Sequence, residues 1–255
     1  MGLIAGLLVV AAASRSARAD PEETSSAPAP EIAHDVAAGE LMPGLVGATH
    51  DRREVQVQGF AGRDASTGTT TMSSSVEATL VDRVSARVAF ANDGYNPKMT
   101  PTFGLTIDAL RQPRAGVDLA LGAAYATEGF NQVPALVVHA AVARHLGTAT
   151  LLANVEYGAG LEQGERYGAA GLGAIDRLSA SWYAGVTSQA HLDLELDASE
   201  PAEERAWDVQ GGPIVSYALG PVVLSAMTGV AAWQLRLHPD AHIGAIGMLG
   251  AGAVF

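Results

Sequence analysis

Two histidines on predicted strands are the first candidates for catalysis, because an imidazole that shares a strand face with a hydroxyl can take its proton. Residues two apart on a strand point to the same side. At that spacing His139 is followed by Ala141 and His191 by Asp193, so neither histidine has a nucleophile beside it. Ser188 lies three residues before His191 and therefore on the opposite face. The sequence predicts no catalytic pair and no enzyme.

The strand around His191 also offers a candidate metal site, since Gln189, His191 and Asp193 share a face, and imidazole and carboxylate are metal ligands. We favour the simpler interpretation that these polar side chains line a wet cavity. A glycine-rich stretch, GAAGLGA at 168–174, lacks the following helix and the Lys and Ser/Thr of a phosphate-binding loop. The chain has no cysteine, which excludes disulfides and thiolate metal sites. The sequence therefore predicts no cofactor and no metal.

Strands must position these side chains, and from residue 53 onward apolar and polar residues alternate with period two. The stretch PTFGLTIDA at 101–109 places Phe103, Leu105 and Ile107 on one face and Thr106 and Asp108 on the other. Such segments recur near 53–61, 74–81, 84–91, 101–109, 116–126, 135–144, 149–158, 169–176, 181–193, 207–218, 222–233 and 242–255. Strands of soluble proteins have about five or six residues, whereas strands that cross a bilayer have about 9–11. The lengths favour a membrane-spanning, all-β sheet of about twelve strands.

The predicted connections alternate between short and long. Those after even-numbered strands are short, such as HLGT at 145–148 and LGP at 219–221; those after odd-numbered strands are longer, such as GRDASTGTTTMSS at 62–74 and NDGYNPKMT at 92–100. The segment at 193–208 holds seven carboxylates and is predicted to be the longest external loop. Its carboxylates suit divalent cations beside anionic lipid A, but we favour the simpler interpretation of a solvated loop. An even number of strands returns both ends of the sheet to one side. Short turns on one side and long loops on the other are typical of outer-membrane barrels.

Composition sets the wider organisation of the chain. A net charge of −12 with only 15 Lys and Arg argues against binding of nucleic acid. Charged residues make up 16% of the chain, against about 25% in an ordinary soluble domain. The apolar run LIAGLLVVAAA followed by ARA predicts a signal peptide at 1–19, and DPEETSSAPAP opens a predicted periplasmic tether at 20–52. The barrel is predicted to occupy 53–255.

The last segment, GMLGAGAVF, is an apolar strand without a polar tail. The predicted signal peptide, the alternating strands and the terminal Phe255 together resemble the Gram-negative outer-membrane β-barrel proteins, a porin-like architecture, over residues 53–255. The resemblance implies an antiparallel up-and-down transmembrane β-barrel in the cell outer membrane, with both mature termini periplasmic. It also implies contacts with outer-membrane lipid and lipopolysaccharide, and Phe255 as the assembly signal for the barrel-assembly machinery. The chain's fourteen aromatic residues are few for two full aromatic girdles.

The inward faces of the predicted strands carry the candidate functional residues. The polar side chains assigned to the lumen are Arg87, Asp108, Asp118, His139, Asn154, Glu156, Gln189, His191 and Asp193. Because they are net acidic, the sequence predicts a narrow passive channel or structural barrel for small polar solutes, with mild cation preference. Two alternatives stay open: an exported soluble β-barrel that binds an apolar ligand, and a lipid-modifying outer-membrane enzyme. The sequence leaves the oligomeric state undetermined.

Overall fold

The structure is a computed structural model that describes residues 55–64, 69–92, 99–129, 133–162, 164–194 and 205–255. The predicted signal peptide at 1–19 and tether at 20–52 lie outside the described residues and stay predictions. No helix within the described part of the chain has the length and apolarity needed to cross a membrane.

Twelve antiparallel strands form one closed barrel in which each strand pairs with its neighbours in sequence and β1 pairs with β12. The strands are β1 Val55–Asp64, β2 Thr69–Val81, β3 Val84–Asn92, β4 Thr100–Leu110, β5 Asp118–Ala126, β6 Ala135–Leu146, β7 Ala149–Gly160, β8 Arg166–Arg177, β9 Trp182–Asp193, β10 Arg205–Leu219, β11 Val222–Leu235 and β12 His242–Val254. A single helical turn, α1 Gln112–Ala115, lies between β4 and β5. The predicted fold class and the number of strands are confirmed.

The connections separate the two ends of the barrel, which we name the turn end and the loop end. The turn end carries the connections after the even-numbered strands together with Val55 and Phe255, and the loop end carries the others. Two-residue turns join β2 to β3, β6 to β7 and β10 to β11; the last two place Gly147 and Gly220 in the left-handed region.

The alternation of connection lengths is less strict than predicted. The connection between β1 and β2 spans only 65–68 instead of 62–74, because both strands continue beyond the predicted ends. At the turn end, the connection after β4 spans 111–117, as long as that at 93–99 on the loop end. The helical turn α1 accounts for that extra length.

The outer face of the barrel is apolar, as the alternation predicts. On β4, Leu105 and Ile107 are each 53% exposed, whereas Thr106 and Asp108 between and beside them are 2% exposed. Exposed leucine, isoleucine and valine side chains recur in the same phase on the other strands. A soluble protein would bury this surface. A bilayer covers it, and closure of the sheet satisfies the backbone groups that lipid cannot.

Aromatic side chains of the outer face gather at two levels. Near the loop end they are Phe90, Phe103, Tyr125, Tyr157 and Trp207, and near the turn end they are Trp182, Tyr217 and Phe255. The rings of Trp182 and Tyr217 pack with their centroids 4.9 Å apart. Few as they are, these side chains form two partial girdles at the levels expected for the two membrane interfaces.

The barrel closes along the ladder between β1 and β12, which we call the seam. Pairing runs from Gln56 opposite Val254 to Asp64 opposite Ile246. Beyond this ladder, the backbone nitrogen of Phe255 donates to the carbonyl of Val55 at 3.0 Å, and the nitrogen of Val55 donates to the carbonyl of Phe255 at 3.1 Å. The backbone of Phe255 therefore takes part in closure, while its role as an assembly signal stays a prediction.

Candidate functional site: the inner wall

The nine residues predicted from the sequence lie on the inner face, in the phase opposite to the exposed aliphatic side chains. Asp108, Asp118 and Asp193 are buried, and the other six, Arg87, His139, Asn154, Glu156, Gln189 and His191, are half-buried. Their participation in a conducting path stays a prediction. The strand register brings some of them together, since His139 of β6 is directly opposite Glu156 of β7 on one side and Gly122 of β5 on the other.

A first polar cluster lies on β9 and β10 near the loop end. The Nδ1 of His191 lies 2.8 Å from Oδ1 of Asp208, and Nη1 of Arg205 donates to Oδ2 of the same carboxylate at 3.0 Å. One step nearer the turn end, Nε2 of Gln210 donates to Oε1 of Gln189 at 3.0 Å. Arg205 lies near Asp208 where the β10–β11 register shifts. The alternation of apolar and polar residues does not predict such a shift.

A second cluster is centred on Glu156 of β7. The hydroxyl of Tyr167 donates to Oε1 of Glu156 at 3.0 Å. Across the ladder on β6, Nε2 of His139 lies 3.3 Å from Oγ1 of Thr106. This pair unites an imidazole and a hydroxyl, but Thr106 is buried and cannot meet a substrate. The contact joins strands that lie two apart in the barrel, so spacing along one strand could not predict it.

A third cluster surrounds Arg87, which is directly opposite Glu77. The Ser85 hydroxyl donates to Oε1 of Glu77 at 2.5 Å, and Nη2 of Arg87 donates to Oγ of Ser75 at 3.3 Å. Gln58 of β1 donates to the same serine hydroxyl at 3.0 Å. Serine hydroxyls of β2 and β3 therefore bind both members of the Glu77–Arg87 pair.

At the turn end, the connection between β4 and β5 is bound to β6 by the side chain of Gln112. The side-chain amide of Gln112 donates to the carbonyl of His145 at 2.8 Å and accepts from the backbone nitrogen of His145 at 2.7 Å. The backbone nitrogen of Gln112 donates to Asp118 at 2.6 Å, and Asp118 lies 3.4 Å from Nε2 of His145. Nearby, the guanidinium of Arg111 lies 3.6 Å from Asp108. Both predicted aspartates of this end thus lie in buried polar contacts.

At the loop end, Asp193 forms an ion pair with Arg236, and both side chains are buried. Burial lowers the pKa of the Arg236 guanidinium, and the nearby Glu165 carboxylate acts in the opposite direction. The inner-wall and rim residues that sequence analysis missed include Arg111, Gln112, His145, Tyr167, Arg205 and Arg236. Most of them lie in or beside connections, where no periodic pattern assigns a face.

Three rings of the inner wall lie over glycines on the neighbouring strand. His139 covers Gly122, Tyr167 covers Gly158, and Phe60 covers Gly250; each glycine is the directly opposite residue in its ladder. In each case a Cβ at the glycine would collide with the ring. The glycines therefore let the rings lie along the wall instead of across the lumen.

The large apolar side chains of the inner wall near the seam are buried. The largest apolar patch beside the seam combines Phe60, Ile214, Met227, Ala231, Ile246 and Met248, all buried. On β6 to β10, the half-buried inward side chains larger than alanine are polar: histidines, amides, carboxylates and Arg177. The larger water-accessible side chains on this part of the inner wall are consequently polar.

The candidate metal trio does not converge on one point. His191 is bound to Asp208, and Asp193 is paired with Arg236. Within the described ranges, no group of three or more His, Cys, Asp or Glu side chains could hold a metal ion.

Comparison with solved structures identifies the architecture. The NanC porin matches with a TM-score of 0.60 at 6% identity, covering 77% of this chain and 98% of the porin. An outer-membrane channel from Pseudomonas putida F1 matches with a TM-score of 0.50 at 12% identity, covering 85% of this chain and 100% of the channel. No protein-family model matches the sequence, and no curated protein matches it. The chain has the fold of outer-membrane porins and channels, and its apolar exterior fits the outer membrane.

Proposed function

We propose that this outer-membrane barrel is a narrow passive channel for small polar solutes, with a mild preference for cations and no enzymatic activity. The polar, half-buried side chains of β6 to β10 support this proposal, because they offer hydrogen-bond partners to a hydrated solute. The rings of His139 and Tyr167 lie against the wall, which leaves width for passage. The fold shared with porins and channels agrees with that function.

The cation preference rests on one observation, the environment of Glu156. Asp108, Asp193 and Asp208 each have a guanidinium within ion-pair distance, supplied by Arg111, Arg236 and Arg205. Glu156 forms no ion pair with Arg or Lys in the described part of the chain, and its hydrogen-bond partner is the neutral Tyr167 hydroxyl. A half-exposed carboxylate without a compensating guanidinium lowers the local potential and concentrates cations.

Planar-bilayer recording of refolded protein under a KCl gradient tests the proposal. We expect conductance steps whose reversal potential favours cations, and Glu156→Gln should move that potential towards zero. The double variant Asp108→Asn/Asp118→Asn is the matched control, and its shift should be smaller because both carboxylates are buried. The preference of the wild type should weaken at high salt, since screening shortens the reach of the carboxylate.

Two results would count against the proposal in different ways. A correctly refolded barrel without conductance would leave a structural barrel. Conductance with equal selectivity in wild type and Glu156→Gln would keep the channel but remove Glu156 as the origin of the preference.

A further inference from the structure

The outer face of β6 to β9 contains a groove of about 510 Å³ near the turn end. Its rim is formed by the exposed side chains of Val142, Leu151, Leu172 and Val186. Because these side chains belong to the outer face, the groove opens to the bilayer and not to the lumen. Its apolar lining suits a hydrocarbon chain.

Arg144 lines the turn-end side of the same groove. It precedes the end of β6 at Leu146 by two residues, and it is directly opposite Leu151, a rim residue. The side chain is exposed, and in the described residues it forms no hydrogen bond or ion pair. A guanidinium on a lipid-facing surface is costly at mid-membrane and is tolerated at the interface, where it reaches phosphate groups.

We propose that this groove is a binding site for one glycerophospholipid, with an acyl chain along the Leu151–Leu172 rim and the phosphate bound by the guanidinium of Arg144. Apolar lining and a single cation at the interfacial end match the two parts of such a lipid. A guanidinium binds phosphate oxygens through charge-assisted, frequently bidentate hydrogen bonds. Short turns of outer-membrane barrels face the periplasm, so the bound lipid belongs to the periplasmic leaflet. The site is independent of conduction.

Other residues of the outer face show why Arg144 is the specific element. Leucine, isoleucine and valine cover the outer face around the barrel and contact lipid tails without selectivity. Arg63 is also exposed, but it lies on β1 at the loop end, far around the barrel from β6 to β9. It is therefore a matched arginine without a groove.

Native mass spectrometry of the full chain, extracted from outer membranes in mild detergent, tests the site. We expect wild type and Arg63→Gln to retain one phospholipid, and Arg144→Gln to retain about tenfold less, the loss expected for a charge-assisted hydrogen bond. Ala174→Trp, which places an indole in the groove while Arg144 stays, should lose the lipid as well. Heat-modifiable migration shows that each variant is folded, and Arg144→Lys should retain more lipid than Arg144→Gln.

Three results would overturn the proposal. The first is equal lipid retention by wild type and Arg144→Gln. The second is lipid A in place of a glycerophospholipid, and the third is a second copy of the chain covering this face with no lipid bound.

Discussion

The inner wall is packed differently in two regions: the seam, and the inward face of β6 to β10, which we call the polar arc. At the seam, Phe60 of β1 covers Gly250 of β12, and two residues along, Met248 of β12 covers Gly62 of β1. Each strand thus supplies one large side chain and one glycine. On the arc, side chains such as Glu156 stay half-exposed and bind one another by hydrogen bonds.

The connections explain this difference. β6 and β7 are joined by a two-residue turn, and such turns fix the register of the strands that they connect. β1 and β12 are the first and last strands, so no turn fixes their register and side chains must specify it. A slip of two residues would place Phe60 opposite Met248 in one direction and Gly62 opposite Gly250 in the other. The first alignment opposes two bulky groups, and the second leaves a void.

The sharpest contrast is between the two faces of the arc itself. Val155 is 59% exposed on the outer face of β7, and its neighbour Asn154 is half-buried on the inner face. Val155→Arg should be destabilising by about 2–4 kcal/mol, the cost of arginine at the bilayer midplane. Asn154→Arg should assemble, because its side chain faces the polar wall. Heat-modifiable migration of the outer-membrane fraction measures both, and equal yields would show that this wall does not face water.

The seam can be broken by filling one of its glycines. Gly250→Leu should overpack Phe60 and be destabilising by about 1–3 kcal/mol in a urea refolding titration. Phe60→Ala in the same chain should restore much of that loss, since it makes room for the new side chain. Gly247→Leu is the control, because a Cβ there has no neighbour within 4 Å. A double variant as unstable as Gly250→Leu alone would mean that the ring and the glycine are not a coupled pair.

Alternation along single strands predicted the barrel and the inward phase because it depends only on neighbours in sequence. Leu105 and Asp108 were assigned to their faces in this way, and the structure agrees. Alternation could not predict contacts between strands, such as the proximity of Thr106 to His139. Pairing across a ladder depends on register, and a weakly alternating strand such as β12 gives no register in sequence. The partners of Gly122, Gly158 and Gly250 likewise emerge only from the register of the ladders.

Connections were the least predictable part, because they have no period. The segment LRQPRA at 110–115 follows an even-numbered predicted strand, so a short connection was expected there. It contains α1 instead, and its Gln112 binds the backbone of β6. The side-chain amide of Gln112 forms one donor and one acceptor hydrogen bond with the backbone of His145, as the backbone of a neighbouring strand would. Register at the turn end is therefore fixed locally, without the interlocked side chains that the seam requires.

The smallest expected effect concerns the hydrogen bonds between Gln112 and the backbone of His145. Gln112→Leu removes both hydrogen bonds to the backbone of His145 and should lower the free energy of unfolding by about 1–2 kcal/mol, given about 1 kcal/mol for each bond. Arg114→Ala, an exposed position on the same helical turn, should leave it unchanged. Gln112→Glu keeps the acceptor but loses the donor and adds a charge beside Asp118, so it should not restore stability. Urea titration of the three variants and the wild type, all refolded in one detergent, compares their free energies of unfolding. If Gln112→Leu matched the wild type, the connection would only span β4 and β5, and the register of β6 would depend on its turn with β7 alone.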